Sequence, residues 1–314
     1  MTKSKPAGSK LPDIKAIATR AERARPRPAG LTAGERAAEK RRQATDEKRL
    51  RTALAKSIDV AALERIARER KASDLKRAEA AHRQAIAASP GHAKWLAARA
   101  VPLTLLVPAD GGDQFTVDTA LWMRAWPNTG ALHDSSTGPG DNWAKYRLDI
   151  EGDILDLPDE ARVSFYALWQ NTQDVPVTVR TATRLDVNAH VSAHADARYF
   201  MGWFIPGASV DVTLRARLTV SPLWLENTQF VVAEVPVGGV AARGGFWGGD
   251  DATTIFTSVF LDGTLTFTVP PGRFLMFETA LATGWEIDSG NFFVDAESGA
   301  FRIDVPFWIV TVVG

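Results

Sequence analysis

His190, His194 and Asp196 fall at i, i+4 and i+6 in the run His190-Val-Ser-Ala-His194-Ala-Asp196. On an extended strand these positions share one face, and two imidazoles with a carboxylate are a donor set for a transition metal. A four-residue step along a strand spans about 13 Å, too far for one ion unless the segment loops. The spacing therefore favours a wet face or loop, with metal ligation as the sharper alternative. Asp149, Glu151, Asp153 and Asp156 gather four carboxylates, three of which alternate with Leu148, Ile150 and Ile154. That alternation predicts an exposed strand edge. The order Asp-x-Glu-Gly-Asp lacks the sixth-position glycine of an EF-hand calcium loop.

Two stretches that read as aromatic loops are more suggestive. In 120–144, Trp122, Trp126 and Trp143 bracket a polar run containing Asn128, His133, Asp134, Asp141 and Asn142. Indole faces beside amides and carboxylates suit a sugar: the rings supply stacking area and the polar groups set orientation. In 244–251, Phe246 and Trp247 stand between glycine pairs, which predicts a mobile aromatic tip able to enter a partner's groove or a lipid interface. The competing reading of both segments is that the rings fold back and close the ends of the core.

Signatures of the common catalytic sites are missing: there is no G-x-S-x-G, P-loop, G-x-G-x-x-G or H-E-x-x-H. The chain has no cysteine, which excludes disulfides, cysteine zinc sites and thiol nucleophiles. No catalytic residue and no cofactor are expected.

The elements that must hold these residues come in two kinds. Residues 1–100 carry 25 Lys/Arg against 11 Asp/Glu, a net of +14, and the remainder carries 12 against 26, a net of −14. The chain's formal charge of zero thus joins a basic arm to an acidic body. Trp95 is the arm's only aromatic residue. Residues 1–31 are rich in Pro, Ala, Lys and Arg, and their composition predicts a disordered basic segment. Residues 32–98 read as a charged helical arm: Thr32 to Glu35 fits a capping box, and Ser57 and Ser73 look like further caps, which predicts two or three helices.

From residue 99 the period becomes two. Val210, Val212, Leu214, Ala216, Leu218 and Val220 alternate with Asp211, Thr213, Arg215, Arg217 and Thr219, a strand with one buried and one wet face. Other strands are expected at 102–107, 113–118, 145–151, 162–170, 175–188, 228–235, 273–280 and 306–313. Asp262-Gly263 predicts a hairpin turn between 255–261 and 265–269, and Glu297-Ser298-Gly299 a second one. The whole of 99–314 reads as an antiparallel β-sandwich, jelly-roll-like or two packed sandwiches.

Function follows from this division. The leading expectation is a non-enzymatic structural or interaction protein, self-assembling or partner-binding. Its basic arm would contact acidic partners through Arg23, Arg25, Arg27, Arg41, Arg42, Lys48, Arg49 and Arg51, and residues 1–51 are the segment suited to nucleic acid. The alternatives are a carbohydrate-binding sandwich using Trp122, Trp126, Trp143, Phe246 and Trp247, a capsid-like nucleic-acid-binding shell protein, and a membrane-active β-rich toxin. The polar N-terminus lacks an apolar signal region and no stretch is apolar enough to span a bilayer. Cytoplasmic synthesis is expected, with release by lysis or a dedicated secretion machine as the other route.

Overall fold

The computed structural model describes residues 11–24, isolated helical positions between 38 and 53, and residues 59–88, 113–126, 130–151, 160–196, 208–226, 228–244 and 248–313. Within them, two antiparallel sheets stack as one sandwich around a core of Val, Leu, Ala and Phe side chains. The five-stranded sheet runs β2 (Trp122–Trp126), β5 (Glu160–Gln170), β10 (Phe274–Ile287), β7 (Ser209–Pro222), β8 (Phe230–Arg243). Its central strands obey the period-two rule. On β7 the six alternating aliphatic residues are buried in the core, and on β5 Ala161, Val163, Phe165 and Ala167 do the same. Arg162, Ser164 and Tyr166 of β5 consequently stand on the outer face.

The eight-stranded sheet is built on β6 (Val177–Ala195). One edge of β6 pairs along its length with β9 (Gly249–Val269). Along the other edge β13 (Trp308–Val312), β12 (Arg302–Asp304) and β11 (Gly290–Ala296) lie end to end. Beyond them β1 (Gln114–Val117) pairs β13, β4 (Trp143–Glu151) pairs β11 and β12, and β3 (Ala131–Ser136) pairs β4.

Neither predicted hairpin forms, although a turn does close at the second site, where the Phe301 amide donates to the Ser298 carbonyl at 3.0 Å. Asp262 and Gly263 lie inside β9. The register steps two residues on β6, from Arg180 to Ala182, against four on β9, from Thr266 to Asp262. A bulge absorbs the difference. Arg180 donates Nε to the Gly263 carbonyl at 2.8 Å and also pairs with Asp262. Glu297-Ser298-Gly299 is likewise no hairpin. Between the pairs Asp295–His190 and Arg302–Asn188, β6 advances two residues and the β11–β12 row advances seven. The extra five residues form an excursion from one continuing row, with Gly299 at φ 58°.

The stretch 120–144 is not one loop as expected: it holds β2, β3 and the start of β4, because its residues pair with β5 and with one another in the two sheets. In the arm, residues 14–24 form a helix, α1 (Ile14–Ala24), where composition predicted disorder. Asp13 Oδ1 accepts from the Ala16 amide at 3.0 Å and caps it. Ile14, Ile17, Ala18 and Ala21 make a narrow apolar stripe that seats on the five-stranded sheet. Helix α2 (Val60–Ala88) is one continuous rod of 29 residues with Ser73 exposed in its middle, so the cap expected at Ser73 starts no new helix. Its cap is Asp59, whose Oδ1 accepts from the Ala62 amide at 3.0 Å. The expected capping box at Thr32, the cap at Ser57 and the strand at 102–107 lie outside the described residues.

Candidate binding face

The outer face of the five-stranded sheet gathers aromatic and charged side chains from three neighbouring strands. Register places Trp122 opposite Tyr166, Arg124 opposite Ser164, Trp126 opposite Arg162, and Tyr166 opposite Glu278. Trp122 stacks on Tyr166 at 5.1 Å between ring centroids and 29° between planes. Trp126 meets Trp122 edge-on at 5.9 Å and donates its Nε1–H to the Tyr166 hydroxyl at 2.8 Å. The Arg124 guanidinium lies over the Trp126 ring at 4.2 Å.

Beside the rings is a buried ionic network. Glu278, 3% exposed, accepts at one carboxylate oxygen from Arg162 Nε at 2.9 Å, Ser164 Oγ at 2.7 Å and Tyr166 Oη at 3.2 Å. Burial pulls the Arg162 guanidinium down, but the Glu278 and Glu22 carboxylates outweigh it and hold the charge above the usual arginine range. Burial, then the nearby Glu278 charge, pushes the Tyr166 phenol up, so it stays protonated. Helix α1 lies across this face. Ile14 and Ala18 bury against Trp126, Tyr166 and Met276, and Glu22 pairs with the terminal nitrogens of Arg162.

The structure thus unites Trp122 and Trp126 and separates them from Trp143. Trp143 stands on β4 of the other sheet, with the Arg302 guanidinium 5.1 Å from its ring centroid. Phe246 and Trp247 lie outside the described residues. Arg162, Ser164, Tyr166 and Glu278 carry no signal in the sequence beyond period two, which marks them as outward-facing but not as covered.

The histidines also divide. His194 Nδ1 is 2.6 Å from Asp250 and its Nε2 is 3.7 Å from Asp196. His190 turns to α2: it stacks on His82 at 4.8 Å and approaches Thr254 Oγ1 at 3.2 Å. Burial, then the neighbouring His82, lowers its pKa. Among the described residues no group of three or more His, Asp or Glu side chains is arranged to hold a metal ion. His82 Nε2 reaches Asp295 Oδ2 at 2.6 Å, and the ring meets Phe293 edge-on at 5.5 Å. The Asp295 carboxylate also accepts from the amides of Glu297 and Ser298 at 2.8 and 2.9 Å. Of the acidic run, Asp149 is exposed on the outer face of β4 beside Arg147, on a strand paired with β11 and β3 rather than at a sheet edge; the Glu151 side chain, Asp153 and Asp156 lie outside the described residues. Arg23, Arg41, Arg42, Lys48 and Arg49 are exposed helical positions, and Arg25, Arg27 and Arg51 lie outside the described residues.

Fold and face together define a β-sandwich with an aromatic, charged surface under a short helix. No family model matches the chain, and no curated protein matches it. Among solved structures it is similar to a xylan-binding module at 12% identity, covering 65% of this chain and 98% of that one, with a TM-score of 0.24. It is similar to a carbohydrate-binding module of specific mannan recognition at 10% identity, covering 62% and 98%, TM-score 0.20. A third, solved in complex with beta-1,4-galactotriose, is 9% identical over 60% and 86%, TM-score 0.17. At this level of likeness the ligands of those modules say nothing about the ligand of this chain. Among the described residues no helix is long and apolar enough to cross a membrane.

Proposed function

We propose that the protein is a non-catalytic recognition protein that binds carbohydrate on the outer face of the five-stranded sheet. The observation that supports it is the stacked Trp122–Tyr166 pair standing directly beside the Arg162–Glu278–Ser164 network. Ring faces give a pyranose its contact area, and fixed charged groups orient its hydroxyls. Isothermal titration of the full chain, and of Ile14→Asp to release α1, against neutral and acidic oligosaccharides tests the reading. Trp122→Ala on the released background is expected to weaken binding at least tenfold. A folded protein that binds no member of the series overturns it.

A second reading is favoured by the His82–Asp295 contact: an interaction protein whose arm seats on the sandwich, in its own chain or in a neighbouring copy. Size-exclusion chromatography at low and high salt separates these two. A monomer at every salt and concentration removes the self-assembling form.

A further inference from the structure

We propose that α1 is a built-in surrogate ligand, and that the face beneath it takes a sugar chain bearing carboxylates, a uronic acid oligomer. The inference rests on the carbohydrate reading of this face and names its ligand class. The Arg162 guanidinium has two working edges. The inner one, at Nε, holds Glu278 at 2.9 Å. The outer one, its two terminal nitrogens, faces α1: Nη1 donates to Glu22 Oε1 at 3.4 Å and Nη2 donates to Glu22 Oε2. A carboxylate on a two-nitrogen edge is the paired geometry that arginine favours for planar anions.

The sheet does not depend on Glu22. If α1 leaves, Glu278 keeps Arg162, Ser164 and Tyr166, so no buried carboxylate is abandoned. What changes is that the outer edge of Arg162 turns to solvent beside Trp122, Tyr166 and Trp126. The vacated place then offers a stacking surface and a two-nitrogen carboxylate seat side by side. A pyranose whose C5 substituent is a carboxylate presents both matching features in one unit. A neutral sugar fills the rings and leaves the arginine edge without a counter-charge.

Helix α1 is suited to being a removable occupant. Its eleven residues are fewer than an isolated helix needs to persist in water. Its buried contacts come down to Ile14 and Ala18, with Ile17 partly covered. The rest of its surface is alanine and charged residues, with Lys15, Arg20 and Arg23 exposed.

The test uses the full chain, with Ile14→Asp and the double variant Ile14→Asp/Ala18→Asp to release α1, checked by amide exchange of residues 14–24. Probes are oligogalacturonate, oligoglucuronate and the carboxyl-reduced forms of the same oligomers. The released variants are expected to bind a uronate oligomer at least tenfold more tightly than the parent chain does, and at least tenfold more tightly than its carboxyl-reduced form. A synthetic peptide of residues 11–24 is expected to compete. Arg162→Lys on the released background is expected to erase the preference for the carboxylate while binding persists. Equal affinity for uronate and reduced oligomers overturns the ligand class and leaves the carbohydrate reading standing. Equal affinity of parent and released chains, with α1 shown to be free, overturns the surrogate role. Absence of binding to every oligomer, with the sandwich folded, removes the carbohydrate reading itself.

Discussion

Asp186 on β6 and Asp304 on β12 are two carboxylates on neighbouring strands. The register sets them directly opposite each other on the outer face of the eight-stranded sheet. Like charges opposed across strands repel, and both are buried, at 0% and 5% exposure. Asp186 Oδ1 accepts from Arg184 Nε at 2.7 Å and from Ser258, while its Oδ2 has no hydrogen-bond partner among the described residues. Burial pushes Asp304 up to about 7; Asp186 and Asp141 push the same way and Arg302 opposes them. The folded carboxyl therefore holds its proton through a range in which the unfolded one has lost it. Stability contributed by that proton is present below the unfolded value, near 4, and is lost as pH rises toward 7. Urea midpoints are expected to fall between pH 5 and pH 8, and Asp304→Asn to flatten the fall and raise stability at pH 8 by on the order of 1–3 kcal/mol. An unchanged pH profile in the variant counts against the assignment. In the sequence the alternation Arg184, Asp186, Asn188, His190 looks like a wet face; the side chains do point outward, but burial there depends on packing that alternation does not encode.

At the scale of elements, one-sided strands were legible and long-range pairing was not. β7 was readable residue by residue because one of its faces is wet. β9 was not, because Asp262-Gly263 carries a local turn signal that pairing with β6 overrides. Gly263 is fixed by that close approach: a Cβ there would meet the Thr181 carbonyl oxygen at 2.5 Å. Gly263→Ala is expected to cost about 1–3 kcal/mol, since backbone must shift to admit the methyl group, and chemical denaturation measures it. Helix α1 was hidden for a related reason. Its stripe is narrow and its partner rings on β2 and β5 lie more than 100 residues away in sequence. Helix α2 has a sparse apolar face, and its described anchor is polar: His82 on Asp295 against His190 and Phe293. His82→Ala removes one partner of a buried carboxylate, at an expected cost of about 1–3 kcal/mol, and is expected to speed amide exchange in 76–88 while exchange in β7 stays unchanged. Equal acceleration everywhere would mean that the substitution acts on the whole fold and that His82 is no local clasp.

For the whole molecule, the sequence marked the arm–body division through its charges of +14 and −14, yet the described seats run against that division. On the five-stranded sheet an arm carboxylate, Glu22, meets a body arginine, Arg162. On the other sheet a single histidine meets Asp295. Neither of these two contacts is made by a lysine or arginine of the arm. Two mechanisms of arm attachment therefore make opposite forecasts. If bulk attraction between basic arm and acidic body held the helices, salt would release them, because charges separated by more than about 10 Å are largely screened at 0.1 M. If the seats hold them, screening has little to act on, since the Glu22–Arg162 pair is mostly shielded from water and Ile14 and Ala18 are buried. Amide exchange of residues 14–24 and 76–88 at 50 mM and 500 mM sodium chloride separates the two. Protection is expected to change by less than threefold across that range. A tenfold or greater loss would return the charge division to the centre of how this chain is held together, and would make the arm an electrostatic tether rather than a pair of fitted helices.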